Sequence, residues 1–427
     1  MTGISTPPGP LAPSGPDLAD LDDARVRAID DTGWGAGVRV FQPRNLALWL
    51  WAALVIWGAV LQVQRWTASA GYYAPTLSLA LVAFALYGAV FWWFTQHIDR
   101  YAAQPVTFRL MAFLWGSVAA TWVFSAPAND AILSLLAKAF GTTFALEWGA
   151  GIAAPIDEEW SKGMGLLLLI AIAPHLVRTA FDGFILGAFI GLGFQILEDI
   201  AYVLDSAPTQ FGADQIGASM QTFVVRMASG IGSHILFSAI FCTGLVLAIG
   251  RPQQPRRLGP GIGLIALAMA LHGTWDAQGA LLHAAIGDSD LLPFAQLVLM
   301  VLLPLIGIAI VIRVFHLAVA GEREFVRPLL APELARGVVT AADVDAAAGD
   351  RKARKRYRNH GRGLGHRRRN RHVLEAVFDL ADELGRARGE DTARVRFARA
   401  EVTRLRRRTD EPHVDGDAGQ GDPGPSR

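Results

Sequence analysis

With one cysteine, Cys242, in 427 residues, the chain cannot form an internal disulfide or a cysteine-based zinc site. Charge is thin: 18% of residues are Asp, Glu, Lys or Arg, against 52% hydrophobic. The first 16 residues are rich in Pro, Gly and Ser and lack a basic start leading into an apolar core, so they do not read as a cleavable signal. No His-Glu-x-x-His motif occurs, which removes the usual helical zinc-protease signature. Nor is an internal repeat visible, and that counts against a transporter built from two related halves.

What is present is apolar sequence concentrated between polar ends. Segments of near 20 residues, enough to cross about 30 Å of hydrocarbon, fall at 46–64, 76–94, 108–124, 151–173, 181–204, 227–249, 259–282 and 291–315. The expected class is all-α, a polytopic membrane helix bundle of about eight transmembrane helices with a basic cytoplasmic C-terminal tail containing an amphipathic helix. The stretch 130–144 is shorter and amphipathic, and reads as a helix lying at the interface. Domain boundaries follow: 1–45 disordered, 46–320 transmembrane, 321–371 a basic cytoplasmic linker, 372–408 an amphipathic helix and 409–427 a disordered tail.

The net charge of +1 hides an asymmetry. Arg100 and Arg109, Arg178, and Arg251, Arg256 and Arg257 lie in or at the edge of alternate loops, and the tail after the last span is intensely basic. Basic loops stay inside, so both termini are expected in the cytoplasm of a multi-pass plasma-membrane protein.

Against this apolar background the charges within spans stand out. A carboxylate inside a span costs roughly 2.5–3.5 kcal/mol on insertion scales, and one span carries both Glu158 and Glu159 with Lys162 one turn on. The bland reading is an ion pair that neutralises the span, but one lysine cannot neutralise two glutamates. Counting 1.5 Å per residue from the outer boundary puts these groups, Glu198 with Asp199, His234, and His272 with Asp276 in one layer roughly 9–15 Å deep. His272 and Asp276 are four apart and share a helix face, so the aspartate can orient the imidazole. A lone His234 would as readily be an interhelical hydrogen-bond donor; its depth brings it into the group. Gly183, Gly187 and Gly191 form a small-residue stripe for close helix approach. Tyr202 lies one turn past Glu198 and Phe194 one turn before; Phe194 reads as core packing.

The segments Pro155-Ile-Asp-Glu-Glu-Trp-Ser-Lys162, Phe181-Asp182-Gly183 through Phe194-Gln-Ile-Leu-Glu198-Asp199-Ile-Ala-Tyr202, Arg226 with His234, and His272-Gly-Thr-Trp-Asp276 resemble the PrsW family of intramembrane proteases over about 149–282. The motif order is also similar to that of the CAAX prenyl protease superfamily. Asp199 and Asp276 depart from it, standing where family members often have asparagine. The resemblance implies a peptide hydrolase acting on membrane-anchored proteins such as anti-sigma-factor-like regulators. The catalytic candidates are Glu158, Glu159, Glu198, His234, His272 and Asp276, supported by Lys162, Asp199, Tyr202 and Arg226.

Glu159 is expected as the base that activates water, with Glu198 sharing or orienting it. The histidines remain as oxyanion donors or, with Glu198, as zinc ligands (His234, His272, Glu198) leaving one open position. A glutamate-type mechanism without metal uses the same residues. The rival class is a proton- or ion-coupled transporter using the same Glu/Asp/His cluster. The basic tail predicts contact with the bilayer through anionic lipids; it has almost none of the aromatics that stack on bases, which argues against nucleic acid.

Overall fold

The computed structural model describes residues 17–39, 41–99, 104–209, 214–230, 233–361 and 363–410. The expected disordered ends, 1–16 and 411–427, lie outside these. Helices account for nearly all of the rest, and among the described residues there is no strand, only an isolated bridge between Arg251 and Gln254. The chain divides into two units, residues 27–325 and residues 1–26 with 326–427.

The second half of α1 (Leu18–Thr32) opens the larger unit and leads to α2 (Leu46–Ile98), a 53-residue helix interrupted at Tyr73 just before Pro75. Proline removes a helical N–H and crowds the preceding turn, and here the chain reverses. Gly58 lies against Val118 and Arg65 pairs with Asp205, whereas further along Gly88 meets Ile196 and Trp92 meets Phe189. One helix by hydrogen bonding is therefore two antiparallel arms. Next comes a continuous helical run: α3 (Val106–Leu114), a π-helical segment (Trp115–Ser125) and α4 (Ala126–Phe140). The expected interfacial helix is thus the end of a longer rod, folded back at Gly141 onto α5 (Thr142–Ile172), with Leu133 against Gly149.

The central helix is α6 (Ala180–Ser206), buried along almost its whole length. Onto it pack α7 (Gln215–Gly230), α8 (His234–Ile249) and α11 (Leu292–Glu324), while α9 (Leu258–Asp276) lies against α8 and α5, and α10 (Gln278–Ile286) against α9 and α11. The glycine stripe faces α8. A Cβ on Gly191 would lie 2.4 Å from the His234 carbonyl oxygen, and one on Gly187 2.4 Å from that of Ser238. Only hydrogen fits at such separations, which is how α6 and α8 bring their backbones together.

By length and hydropathy alone, five helical stretches among the described residues are able to cross a membrane, so the expected count of eight is not confirmed. The reasons are physical. The α2 hairpin counts once, α5 is loaded with the charges of the site, and the sixth expected span is described as two helices, α7 ending at Gly230 and α8 beginning at His234 after a non-helical Ser233 (φ −116°, ψ −123°). The seventh ends at Asp276, where Ala277 (φ −90°, ψ 6°) separates α9 from α10.

The smaller unit corrects the expectation of linker and tail. The supposed linker folds as α12 (Val326–Ala335), α13 (Ala341–Ala347) and α14 (Arg351–Arg358). The supposed single amphipathic helix is two, α15 (Leu364–Arg386) and α16 (Ala393–Asp410), divided where Arg388 and Gly389 take positive φ. Leu329, Leu330, Val344, Val377, Leu380, Leu384, Val395 and Val402 form its core. At one edge Glu333, fully buried, accepts from Arg25 at 2.8 Å, Arg336 at 3.0 Å and Arg399 at 2.7 Å. The first half of α1 thus belongs to this unit rather than to a disordered leader. A high density of Arg and Lys suggested a solvated chain; it was the sparse apolar positions that fold it.

Candidate active site

The site is assembled from five helices, α5 to α9. α5 supplies Glu158, Glu159 and Lys162 from two successive turns, and all three are buried. They are held by neighbours that motif reasoning passed over. The Trp115 indole N–H donates to the Ser161 carbonyl at 2.9 Å, and the Ser125 and Ser161 hydroxyls lie 2.7 Å apart, so the π-helical segment clamps this turn. A π-helix is rare and concentrates at functional places, but no residue pattern announces it.

Lys162 is the hub. Its ammonium donates to Glu159 Oε1 at 2.9 Å, Glu158 Oε2 at 3.1 Å and His234 Nδ1 at 3.0 Å, and lies 3.9 Å from the centre of the Phe194 ring. Phe194 is therefore a cation–π partner and not only core. An ammonium can only donate, so His234 Nδ1 accepts. Its Nε2 then carries the proton, donated to Glu198 Oε2 at 2.9 Å. His234 is the first residue of α8, set at the helix break, which lets its ring reach both α5 and α6.

Glu198 also takes Arg226 at 2.6 Å. Arg226 pairs with Asp199 as well and lies 4.2 Å from the Tyr202 ring centre, so Tyr202 meets the site through the guanidinium. Gln195 donates to Asp199 Oδ2 at 2.7 Å. At Asp199 the added charge relative to asparagine is matched by an arginine.

His272 comes from the penultimate turn of α9. Its Nδ1 lies 3.1 Å from Glu159 Oε1, and the Ser238 hydroxyl donates to Glu159 Oε2 at 3.3 Å. Glu159 is thus enclosed, with both oxygens engaged. His272 Nε2 makes no hydrogen bond, though it is buried and lies 3.2 Å from Asp276 Oδ2 and 3.7 Å from Glu158 Oε2. The two imidazole centres are 5.2 Å apart. All ten residues expected at the site are brought together.

A cavity of about 440 Å³ meets this cluster. Glu158, Glu198, His234, His272 and Asp276 line its floor, whereas Glu159 does not, and Arg65, Asp130 and Asp205 are also on its wall.

The donor set fits a divalent cation. Ligand atoms of Glu158, Glu159, His234 and His272 all lie within 4.8 Å of one another. Zinc bonds of 2.0–2.1 Å at tetrahedral angles separate ligands by about 3.3 Å. Glu158 Oε2 is 3.4 Å from His234 Nδ1 and 3.7 Å from His272 Nε2. An orphaned nitrogen facing two carboxylates is what a bridging cation would satisfy. Glu198, expected as a ligand, instead holds the opposite nitrogen of His234, the position of an orienting carboxylate.

Residues 104–306 match the family model described as PrsW family intramembrane metalloprotease. No curated protein and no solved structure gives a significant match.

Proposed function

We propose that this chain, a PrsW family intramembrane peptidase by its residues 104–306, hydrolyses a peptide bond of a membrane-anchored protein substrate in the cavity over Glu158 and Glu198. The observation that carries the mechanism is the unequal environment of the two adjacent glutamates. Glu158 faces the cavity; Glu159 is sealed beneath by Lys162, His272 and Ser238. Activating water requires reach to that water, so the base is Glu158, and Glu159 holds the lysine and His272 in place. This reverses the roles expected from sequence.

In the reaction Glu158 takes a proton from water as the oxygen attacks the scissile carbonyl, then returns it to the departing amide nitrogen. Glu198, fixed by Arg226, holds His234 in one tautomer, and Asp276 flanks His272. Should zinc be bound, His234, His272 and Glu158 would hold it, the metal would polarise the carbonyl and lower the pKa of water, and Glu158 would then serve as ligand in place of base. The substrate's class, an anti-sigma-factor-like regulator, is carried by the family resemblance.

By the basic-loop rule the protein sits in the plasma membrane with both termini cytoplasmic. Arg351, Lys352, Lys355, Arg356, Arg367, Arg368 and Arg371 are exposed on α14 and α15, available to anionic lipid headgroups. The test of the catalytic reading compares membrane proteins in cells carrying the wild type or Glu158→Gln. Accumulation of an uncleaved single-span protein supports it, and unimpaired cleavage of every such protein overturns it.

A further inference from the structure

The point where the ligands of a metal would converge is already taken by a cation of the chain itself. The Lys162 ammonium contacts Glu158, Glu159 and His234, three of the four side chains whose donor atoms cluster within 4.8 Å. It uses the same His234 Nδ1 lone pair and the same Glu158 Oε2 that fit a metal, at 3.0 and 3.1 Å. One lone pair on nitrogen cannot serve an N–H donor and a metal ion together. From this we propose that Lys162 is an internal competitor of the metal: its ammonium and a divalent cation occupy the ligand cluster in turn, and loading the site displaces the lysine from His234 and Glu158.

The inference rests on the metal reading above and adds a consequence to it. Two buried carboxylates without a cation would be strongly destabilising. The lysine supplies that cation when no metal is present, so the unloaded protein can fold around a neutralised cluster. The cost is weaker metal binding. Displacement needs little movement of the backbone, because Phe194 and the carboxylate of Glu159 remain within reach of the long, flexible lysine stem. Sequence spacing alone shows the pairing of Lys162 with the glutamates; the contact to His234, 72 positions away, needs the fold.

The test uses full-length protein in detergent and zinc in competition with a chelating dye. Lys162→Met removes the ammonium while keeping an unbranched stem, and is expected to tighten zinc binding at least tenfold. Lys162→Arg keeps the charge and should not. A second measurement needs no variant that alters folding. The chain has only four lysines, Lys138, Lys162, Lys352 and Lys355, so lysine labelled with ¹³C at Cε gives four signals. Zinc should move the Lys162 signal and leave the other three. Equal or weaker zinc binding by folded Lys162→Met, or a Lys162 signal that stays put while zinc saturates the wild type, overturns the competition and leaves the metal site standing. Zinc bound by neither protein overturns both.

Discussion

Two polar clusters lie at opposite ends of α6, and only one reads as a catalytic centre. They are separated by roughly 24 Å at 1.5 Å per residue, from Asp182 to Glu198. Both bury carboxylates against basic groups. In the first, Asp182 is completely buried and accepts from the Arg178 and Thr179 backbone N–H groups at 2.8 and 2.9 Å and from Gln104 at 2.6 Å. Arg178 also pairs with it at 3.0 Å, donates to the Thr32 carbonyl at 2.8 Å and lies 3.8 Å from Glu322. These groups tie α1, α6 and α11 together. The second holds two imidazoles, an unbonded nitrogen and a cavity. Burial of charge within a membrane protein therefore does not by itself mark chemistry, nor does an unbonded buried atom, since Glu322 Oε2 and Gln104 Oε1 in the first cluster also lack hydrogen bonds; the second differs in setting imidazoles and carboxylates beside a cavity that water and substrate can enter.

The comparison breaks if the clusters respond alike to loss of charge. Glu158→Gln should lower cleavage by about 10²–10⁴-fold, the usual worth of a positioned base, while the unfolding temperature of the purified protein changes little. Arg178→Met should do the reverse. It leaves Asp182 and Glu322 buried without their guanidinium, and breaking such a pair costs about 3–5 kcal/mol. The measurement is thermal unfolding in detergent beside cleavage per folded molecule. An Arg178→Met protein of unchanged stability would show that the Asp182 cluster is not structural.

How much of this was legible differs between the two ends. The candidate site residues could be read because each violates the composition of its span, and equal depth on separate helices grouped Glu158, Glu198, His234 and His272 from sequence alone. Which glutamate faces the cavity could not be read, since adjacent residues on a helix differ only in direction and direction is set by packing against α8 and α9. The break before His234 was hidden because its glycines also suit an unbroken membrane helix. In the smaller unit, dense charge masked a core made from isolated valines and leucines, and only their tertiary meeting shows a fold. Arg178 read only as a basic loop residue and Asp182 only as part of a motif, because their partners, Gln104, Thr32 and Glu322, are remote in sequence.

A smaller effect sharpens the comparison by moving the frame under one cluster. Gly191→Ala places a methyl 2.4 Å from the His234 carbonyl oxygen, where backbone, not a flexible side chain, must yield. Overpacking of this kind costs about 1–3 kcal/mol. Because the displaced carbonyl belongs to a site residue, cleavage should fall more than the stability loss accounts for. Gly183→Ala, which meets the Cys242 carbonyl oxygen at 2.8 Å and lies toward the Asp182 end, should lose stability alone. Equal activity per folded molecule in the two variants would mean that α8 transmits nothing to His234.

The finest separation is within the catalytic cluster itself, between groups that would bind metal and groups that orient them. Glu198 accepts from His234 Nε2 at 2.9 Å and is itself held by Arg226 at 2.6 Å, so Glu198→Gln keeps shape but removes the charge that fixes the imidazole. Orienting carboxylates are worth roughly 10–100-fold in metal affinity. The expected result is zinc binding weakened by about that factor in Glu198→Gln, while His272→Ala abolishes it. The zinc dissociation constants are measured by dye competition on the same preparations. Should Glu198→Gln abolish binding as completely as His272→Ala, Glu198 is a ligand after all, and the assignment of Glu158 to that place fails with it.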